Sequence, residues 1–204
     1  MYNSMKWFVI LLIAAILISG CASTKLTHIW VDETYKGKVF SDILVIAVSN
    51  QEGVRRSFEE KFIAELKQAG VDAVSSADAI AIPANKELKK ETILKAVQKY
   101  NNDAVIITHL IGVEKKDVYY PPTRVYPSYY GYYHSAHVNV NQRGYYKSNT
   151  FVRLETNLYD VKTEKPVWSG QSETWEPGSD QQIIDEVIKI VIGNMRKKGL
   201  LPMK

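Results

Sequence analysis

The sequence predicts an α/β fold, a two-layer sandwich in which three helices cover a mixed sheet of about five strands. Three observations support this prediction. Residues 42–113 alternate between apolar strand-like runs and amphipathic stretches, the pattern of strands joined by helices. Residues 151–175 have the pattern of an antiparallel hairpin, and residues 179–199 that of a helix with one apolar stripe. We therefore expect a single α/β domain over residues 42–204.

The first half of the domain predicts the order strand, helix, strand, helix, strand. Residues 42–48 are a continuous, mostly β-branched run, as expected of a strand buried on both faces. An amphipathic helix follows and stops at Gly70, and residues 71–74 form a short strand. Asn85 is a candidate N-cap for the second helix, and residues 103–113 form the next apolar strand.

The second half predicts an antiparallel hairpin. Residues 151–159 alternate between apolar and polar side chains, which indicates a half-exposed strand. A turn at residues 163–165 leads back into residues 166–175. Trp168 and Trp175 are seven residues apart and so lie on opposite faces of a regular strand. We expect one of them in the core and the other at the surface.

The last element is the clearest helix in the sequence. Ser179 is the predicted N-cap, with Gln182 three residues on, as in a capping box. Residues 196–198 place positive charge at the negative end of the helix dipole, and Gly199 ends the helix. The apolar residues between these ends recur at helical spacing: Ile183, Ile184, Val187, Ile188, Val191, Ile192 and Met195.

Residues 1–20 predict a bacterial lipoprotein signal peptide. Lys6 supplies the charged start, residues 7–18 are apolar, and small residues precede Cys21, the only cysteine. The apolar run is shorter than the roughly 20 residues that a transmembrane helix needs. We predict cleavage before Cys21 and lipidation of its thiol, with residues 21–41 as the lipidated N-terminus and tether. After the short tether we expect this polar segment to run as a strand or coil on the surface of the domain. The alternative is an ordinary secretory signal with a cysteine nearby by chance.

Composition and charge narrow the classes of partner. The formal net charge is +4, and Lys6 is the only charged side chain before Cys21, so the side chains of the mature protein sum to +3. This excess is spread along the chain without a basic block, which argues against nucleic acid as a partner. With Cys21 lipidated, the mature domain has no thiol left for a disulfide. We expect no cofactor.

Several short motifs together resemble a family of uncharacterised bacterial lipoproteins of the outer membrane. The order of elements is also similar to the N-terminal domain of TolB and to the periplasmic domain of curli-export-type lipoproteins. These resemblances imply a tethered α/β domain, an envelope role and protein partners, and they carry no catalytic motif. The motifs are Trp30-Val31-Asp32, Tyr35-Lys36-Gly37, the strand ending in Val48, Arg56 with Glu59, and Leu158-Tyr159-Asp160 leading to Val167-Trp168-Ser169-Gly170.

The resemblance to bacterial lipoproteins also implies the form of attachment and the location. Such proteins carry a diacylglyceryl group on the cysteine and usually a third, amide-linked chain, palmitate being a common acyl group. Ala22, rather than Asp, follows Cys21. In enteric bacteria an Asp at this position retains a lipoprotein in the inner membrane. We therefore expect lipid anchoring at the periplasmic face of the outer membrane.

Residues 118–149 form a Tyr/Pro-rich insertion. Its prolines predict neither a helix nor a central strand, and a long insertion of this kind is usually functional or disordered. Tyrosine offers a flat apolar face and a hydrogen-bonding tip, which suits an envelope protein or a glycan as partner. The alternative is a loop that folds back on its own sheet or stays mobile. The candidate partner-binding residues are Tyr126, Tyr129, Tyr130, Tyr132 and Tyr133.

Two further sequence patterns resemble functional sites, one a pair of metal ligands and the other a cluster of charges. We interpret neither of them as a site. His134 and His137 have the spacing of metal ligands, but no cysteine or carboxylate lies close by in the sequence, so we predict no metal site. Residues 55–56 precede residues 59–60 at i,i+4 spacing. They could recognise an acidic group, but we interpret them as ion pairs on the solvent face of the helix.

The sequence predicts no catalytic residues. It contains no Gly-x-Ser-x-Gly elbow and no phosphate-binding glycine loop. We therefore expect a non-enzymatic binding or scaffolding role in the cell envelope, in secretion or surface assembly. The alternative is a hydrolase of envelope polymers whose catalytic groups meet only in space.

Overall fold

The computed structural model describes residues 24–35, 37–80, 86–120, 128–141 and 145–203. This part of the chain holds six strands and five α-helices. The strands are β1 (Thr24–Val31), β2 (Asp42–Val48), β3 (Asp72–Ser75), β4 (Ala104–Tyr120), β5 (Tyr145–Asp160) and β6 (Pro166–Trp175). The helices are α1 (Glu52–Gln68), α2 (Ser76–Ala79), α3 (Lys90–Tyr100), α4 (Tyr129–Asn141) and α5 (Asp180–Lys197).

The strands form one mixed sheet in the order β1-β6-β5-β4-β2-β3. β2 runs parallel to β3 and β4, and the remaining neighbours are antiparallel. The β4–β5 pairing extends from Ala104 opposite Asp160 to Tyr120 opposite Tyr145. In contrast, β4 pairs with β2 only as far as His109. β4 and β5 are thus much longer than the strands beside them.

Helices α1 and α5 cover one face of the sheet and enclose the main core. The stripe of α5 that the sequence predicts is buried there, with Val187 and Val191 fully shielded from solvent. Trp168 of β6 is also fully buried, and its indole N–H donates to the side-chain oxygen of Asn194 at 3.0 Å. Trp175 is 45% exposed. The prediction of one core and one surface tryptophan is confirmed.

Helix α3 lies against the opposite face of the sheet. Ala96 and Val97 of this helix form a second apolar cluster with Leu44 and Ile46 of β2 and Val105 of β4. Neighbouring residues of β2, such as Val45, belong to the main core. β2 is therefore buried on both faces, as its continuous apolar sequence predicts.

Both ends of α5 follow the prediction. The Ser179 hydroxyl accepts a hydrogen bond from the Gln182 N–H at 3.1 Å, which satisfies a backbone donor in the first turn. The Gln182 side chain accepts from the Gly178 N–H at 2.8 Å. In a standard capping box this side chain would instead accept from the N–H of the N-cap residue, which here is Ser179. Gly199 follows the helix at φ +72°, a conformation that glycine adopts without steric cost.

The predicted fold class is confirmed, with six strands where about five were expected. The additional strand is β1, inside the range 21–41, where we expected a short tether followed by a strand or coil. It pairs antiparallel with β6, from Thr24 opposite Thr174 to Val31 opposite Trp168. As an edge strand it is mostly exposed. A strand of this kind lacks the strong apolar pattern by which a buried strand is predicted.

The helices α2 and α4 are additional to the three predicted. The second predicted helix, α3, begins later than expected, at Lys90 with Lys89 as N-cap. The backbone carbonyl of Lys89 accepts from the Ile93 N–H at 3.2 Å, so the first turn closes without a side-chain cap. The prediction that Asn85 caps this helix is wrong, and Asn85 itself lies outside the described residues.

The prediction of solvent-exposed ion pairs on α1 is wrong for Arg55 and Glu59, both of which are buried. The Arg55 guanidinium lies 2.9 Å from a carboxylate oxygen of Glu52, one turn earlier. Arg56 contacts the same Glu52 oxygen at 2.9 Å and Asp78 of α2 at 3.6 Å. An i,i+4 charge pattern looks the same on a buried and on an exposed helix face, so the sequence could not separate the two cases.

Glu59 is held by three donors from β2 and α2. One carboxylate oxygen accepts from the Ala47 N–H at 2.9 Å and from the Ser76 hydroxyl at 2.6 Å. The other accepts from the Ala77 N–H at 2.9 Å. Burial raises the pKa of the Glu59 carboxyl, while these hydrogen bonds and the nearby charge of Arg55 act in the opposite direction. Glu59 thus joins helix α1 to the end of β2 and the start of α2.

Candidate partner-binding surface

A two-stranded arm extends from the sheet, because β4 and β5 continue beyond the ends of β2 and β6, the strands on their other sides. β5 pairs with β6 only from Phe151 onward, and β4 has left β2 at His109. Among the described strands, residues 116–120 and 145–149 therefore pair only with each other. We call these two segments, together with helix α4 between them in the chain, the tyrosine arm. Five strand residues rise by roughly 17 Å.

The last two residue pairs of the arm strands are tyrosine pairs. Tyr119 lies opposite Tyr146 with ring centroids 5.2 Å apart and planes inclined by 52°. Tyr120 lies opposite Tyr145 with centroids 5.4 Å apart and planes inclined by 12°. Asn149 donates a side-chain hydrogen bond to the Tyr120 hydroxyl at 2.8 Å. Because cross-strand aromatic pairs contribute roughly 0.2–1 kcal/mol each, they help to hold this end of the hairpin together.

Closer to the sheet, charged residues line the hairpin. Lys116 lies 3.2 Å from the Glu114 carboxylate, and its ammonium is 5.6 Å from the centre of the Phe151 ring. Lys147 pairs with Glu176 at 3.4 Å. Charged side chains along an edge oppose pairing with a strand of another chain. The base of the arm is therefore protected from edge-to-edge association, and its aromatic surface lies farther out.

Helix α4 lies in the segment that the sequence predicted to be non-helical, so that prediction is wrong. The prolines of the segment, at positions 121, 122 and 127, all precede the first helical residue, Tyr129. There they interrupt none of the helix's hydrogen bonds. The Ser128 hydroxyl accepts from the Gly131 N–H at 3.1 Å and caps the helix.

Four of the five predicted binding residues lie together on α4 and are exposed. Their Cα atoms span about 160° of arc, at about 100° per residue, so they lie on one broad side of the helix. Tyr126, the fifth predicted residue, and the lipidation site Cys21 lie outside the described residues. The exposed fractions are 90% for Tyr129, 68% for Tyr130, 61% for Tyr132 and 65% for Tyr133.

The structure also exposes tyrosines on the hairpin strands of the arm. Tyr119, Tyr145 and Tyr146 are exposed on the arm strands. These residues belong to the Tyr/Pro-rich insertion, but the predicted partner-binding residues do not include them. The signal that could have found them is the Tyr-Tyr dipeptide at each end of the insertion, at residues 119–120 and 145–146. Placed opposite each other on antiparallel strands, two such dipeptides form two aromatic pairs.

A cluster of polar side chains surrounds Glu155 on β4, β5 and β6. This half-exposed carboxylate accepts from the side-chain amides of Asn157 at 3.0 Å and of Gln171 at 2.9 Å. These two hydrogen bonds, with a smaller contribution from His109 on the neighbouring strand, lower the pKa of Glu155. Glu155 is therefore ionised at neutral pH and acts as an acceptor that orders the amides beside it.

The four histidines of the chain all have access to solvent. His134 and His137 are exposed on α4, where the His137 ring lies 6.3 Å from that of Tyr133. His28 is exposed on β1, and His109 is half-exposed on β4. Within the ranges that the structure describes, no three His, Asp or Glu side chains are grouped so that they could hold a metal ion. None of the described helices is both long and apolar enough to cross a membrane.

An open groove lies between β1 and α5. It has a volume of about 490 Å³. Its lining is mostly apolar, with lysines along the helix side. The groove is separate from the tyrosine arm and contains none of the predicted binding residues. Its lining residues are Leu26, Ile29, Glu186, Lys189, Ile190, Gly193, Asn194 and Lys197.

No protein-family model matches the chain, and no curated protein matches it significantly. Solved structures that it resembles include a dodecamer of PelC from Paraburkholderia phytofirmans, with 12% identity and a TM-score of 0.46 over 88% of this chain and 98% of that one. Lipoprotein GNA1162 from Neisseria meningitidis has 17% identity and a TM-score of 0.42, over 77% and 99%. A minor lipoprotein from Acinetobacter baumannii has 7% identity and a TM-score of 0.33, over 79% and 97%.

Two of these three structures are thus bacterial lipoproteins. Identities this low do not allow any functional residue to be transferred to this chain. The similarity to the TolB N-terminal domain and to curli-export-type lipoproteins stays a prediction.

Proposed function

We propose that this protein is a lipid-anchored, non-enzymatic lipoprotein at the periplasmic face of the outer membrane, and that it contacts another envelope component through the tyrosine arm. The observation that carries the proposal is the grouping of exposed tyrosines on a projecting hairpin and its helix. An exposed aromatic cluster of this kind is unusual for a surface without a partner.

The chemistry of tyrosine supports a binding role. Each ring offers apolar contact area with only two side-chain torsions to fix, and the hydroxyl adds a directional hydrogen bond. The cross-strand pairs formed by Tyr119 with Tyr146 and by Tyr120 with Tyr145 hold four rings in place before any partner arrives. Contact groups that are already ordered lose less conformational entropy on binding.

The attachment part of the proposal is supported by the position of Cys21. It lies behind a charged start and an apolar run that is too short for a transmembrane helix. Strand β1 begins only three residues later, at Thr24. The Thr24 hydroxyl lies 2.7 Å from that of Thr174 and donates to Glu186 of α5 at 2.6 Å. A lipid on Cys21 would thus be joined to the folded domain by a very short segment.

The non-enzymatic part of the proposal is supported by the roles of the carboxylates and histidines. Glu59 is buried and fully engaged by donors that join three elements of the fold. Glu155 has a lowered pKa and so is unsuited to act as a general acid. A histidine enclosed in a pocket with a serine or carboxylates would favour the rival hydrolase, whereas each histidine of this chain reaches solvent.

Replacement of residues 126–133 by a Gly/Ser linker of equal length tests the proposal. The domain should stay folded, since the described side chains in this range are exposed and loop length costs little closure entropy. Recovery of envelope components, whether protein, glycan or phospholipid, crosslinked to the tagged lipoprotein in intact membranes should fall. The matched control is Trp30→Ser, which removes an exposed aromatic residue of β1 outside the arm. Equal recovery with the linker variant and the unaltered protein would contradict the proposal.

A further inference from the structure

We propose that the tyrosine arm docks on the phospholipid surface of the bilayer that holds the lipid of Cys21, with its tyrosines in the headgroup layer. This inference names the partner of the arm and rests on the lipid attachment in the proposed function. It follows from the direction of β1, the length of chain before it, and the chemistry of the arm.

The strand directions place the chain entry and the arm at the same end of the sheet. β1 and β5 both run antiparallel to β6, so they run parallel to each other. Thr24, the first residue of β1, lies opposite Thr174, which in turn lies opposite Val152 of β5. β5 begins at Tyr145, in the arm. Thr24, three positions after Cys21 in the sequence, therefore lies at the end of β1 that faces the side to which the arm projects.

The lengths then bring the arm to the bilayer. Thr24 lies three positions after Cys21, and an extended chain spans at most roughly 10 Å over three positions. From Val152, level with Thr24, β5 extends seven positions back to Tyr145 at the end of the arm, or roughly 23 Å. The arm is thus longer than the segment that separates the domain from its lipid. If the strands are inclined toward the membrane or lie along it, the aromatic end of the arm reaches the headgroups. The arm avoids contact only if the sheet is oriented with the arm pointing away from the membrane.

The chemistry of the arm fits a lipid headgroup layer. Tyrosine is enriched at membrane–water interfaces because its ring is apolar and its hydroxyl is polar. The described residues of the arm hold eight tyrosines, two lysines (Lys116 and Lys147) and one acidic residue, Asp117. The arm therefore carries no net negative charge that anionic lipids would repel. The described tyrosines Tyr145 and Tyr146 are 64% and 73% exposed and so available for this contact.

A fluorescent label on the arm tests the docking directly. Because lipid occupies the thiol of Cys21, the only native cysteine, the variant Tyr132→Cys carries a single reactive thiol. Lys162→Cys, in the exposed turn between β5 and β6, supplies the matched control at the other end of the sheet. Each lipoprotein is labelled with an environment-sensitive dye and reconstituted into vesicles of phosphatidylethanolamine and phosphatidylglycerol that contain a nitroxide-labelled lipid. Tyr146→Cys labels the arm from its second strand and should behave as Tyr132→Cys does.

The two arm labels should show blue-shifted emission relative to the label at position 162. Their quenching by the nitroxide lipid should be at least threefold stronger than that of the label at position 162. Flotation of the same vesicles distinguishes a failure of lipid attachment from a failure of docking. If the unaltered lipoprotein does not float with the vesicles, the lipid attachment fails and the docking with it. If the proteins float but the arm labels stay as exposed to water as the control, the docking proposal alone is overturned. Arm labels shielded only after addition of envelope extract would assign the arm to a protein or glycan and overturn the proposal too.

Discussion

The indole ring of Trp168 occupies the space that a Cβ at Gly170 would need, two residues along the same face of β6. A Cβ added at Gly170 would lie 2.3 Å from one ring carbon of Trp168 and 2.6 Å from another. The tryptophan is fully buried and donates its N–H to Asn194. It therefore has no free space into which it could move. The absence of a side chain at position 170 is what allows the largest core residue to lie flat against its own strand.

The substitution Gly170→Ala should destabilise the domain by about 1–3 kcal/mol, as overpacking of a filled core does. Thermal unfolding measures the effect, with a decrease in Tm of about 2–4 °C per kcal/mol for a domain of this size. The control is Gly193→Ala in α5, where an added Cβ meets nothing within 4 Å. Alanine is the better helix former, so this variant should be unchanged or more stable. A Gly170→Ala protein that unfolds at the wild-type temperature would show that Trp168 packs elsewhere.

Glu59 should make stability depend on pH. Burial raises the pKa of its carboxyl above the usual value of 4.5. Because the folded state then binds the proton more tightly than the unfolded state, the contribution of this group is most favourable below pH 4.5 and is lost as the pH rises through the raised pKa. Glu59→Gln cannot ionise. The free energy of unfolding of the wild type minus that of Glu59→Gln should therefore decrease from pH 4.5 upward, as measured by urea unfolding.

A difference between these two proteins that rises with pH would contradict the assignment. It would mean that the three donors around Glu59 outweigh its burial. Glu60→Gln is the matched control, since Glu60 is the next residue of α1 and is exposed. Its unfolding free energy should follow that of the wild type across the same pH range.

Cys21→Ser should abolish lipid attachment. The hydroxyl does not replace the thiol as acceptor, so the variant should not incorporate labelled palmitate and should leave the outer-membrane fraction. Ser23→Ala, two residues on, is the control and should be labelled and fractionated like the wild type. If the Cys21→Ser protein still incorporates the fatty acid and sediments with the outer membrane, the signal has been misinterpreted.

The sequence predicted the elements whose patterns are strong. The apolar run of β2, the alternation in β5 and the stripe of α5 each correspond to a face or a pair of faces buried in the structure. That one of Trp168 and Trp175 is buried and the other exposed follows from strand periodicity alone. In these elements the local pattern and the tertiary packing agree, so local reasoning was sufficient.

The remaining features depend on contacts that are distant in the sequence. β1 is a strand because β6 offers it an edge, although its own side chains are mostly exposed. Glu59 is buried because donors from residues 47, 76 and 77 surround it. The sequence does not predict helix α4, because the prolines disfavour a helix when the segment is taken as a whole. All of these prolines nevertheless precede Ser128, so they leave the helix itself intact. The arm was predicted as an insertion, but its two-stranded form required the pairing of residues about 30 positions apart.

The most direct test of the central claim, that the tyrosine arm is the contact surface of the protein, is photocrosslinking in intact cells. A photoreactive p-benzoylphenylalanine replaces Tyr130 on α4 in one strain and Trp30 on β1 in another; both positions are exposed and aromatic. Adducts with an envelope component, whether protein, glycan or lipid, are expected from position 130, with a much lower yield from position 30. No adduct from position 130, or equal yields from the two positions, would contradict it.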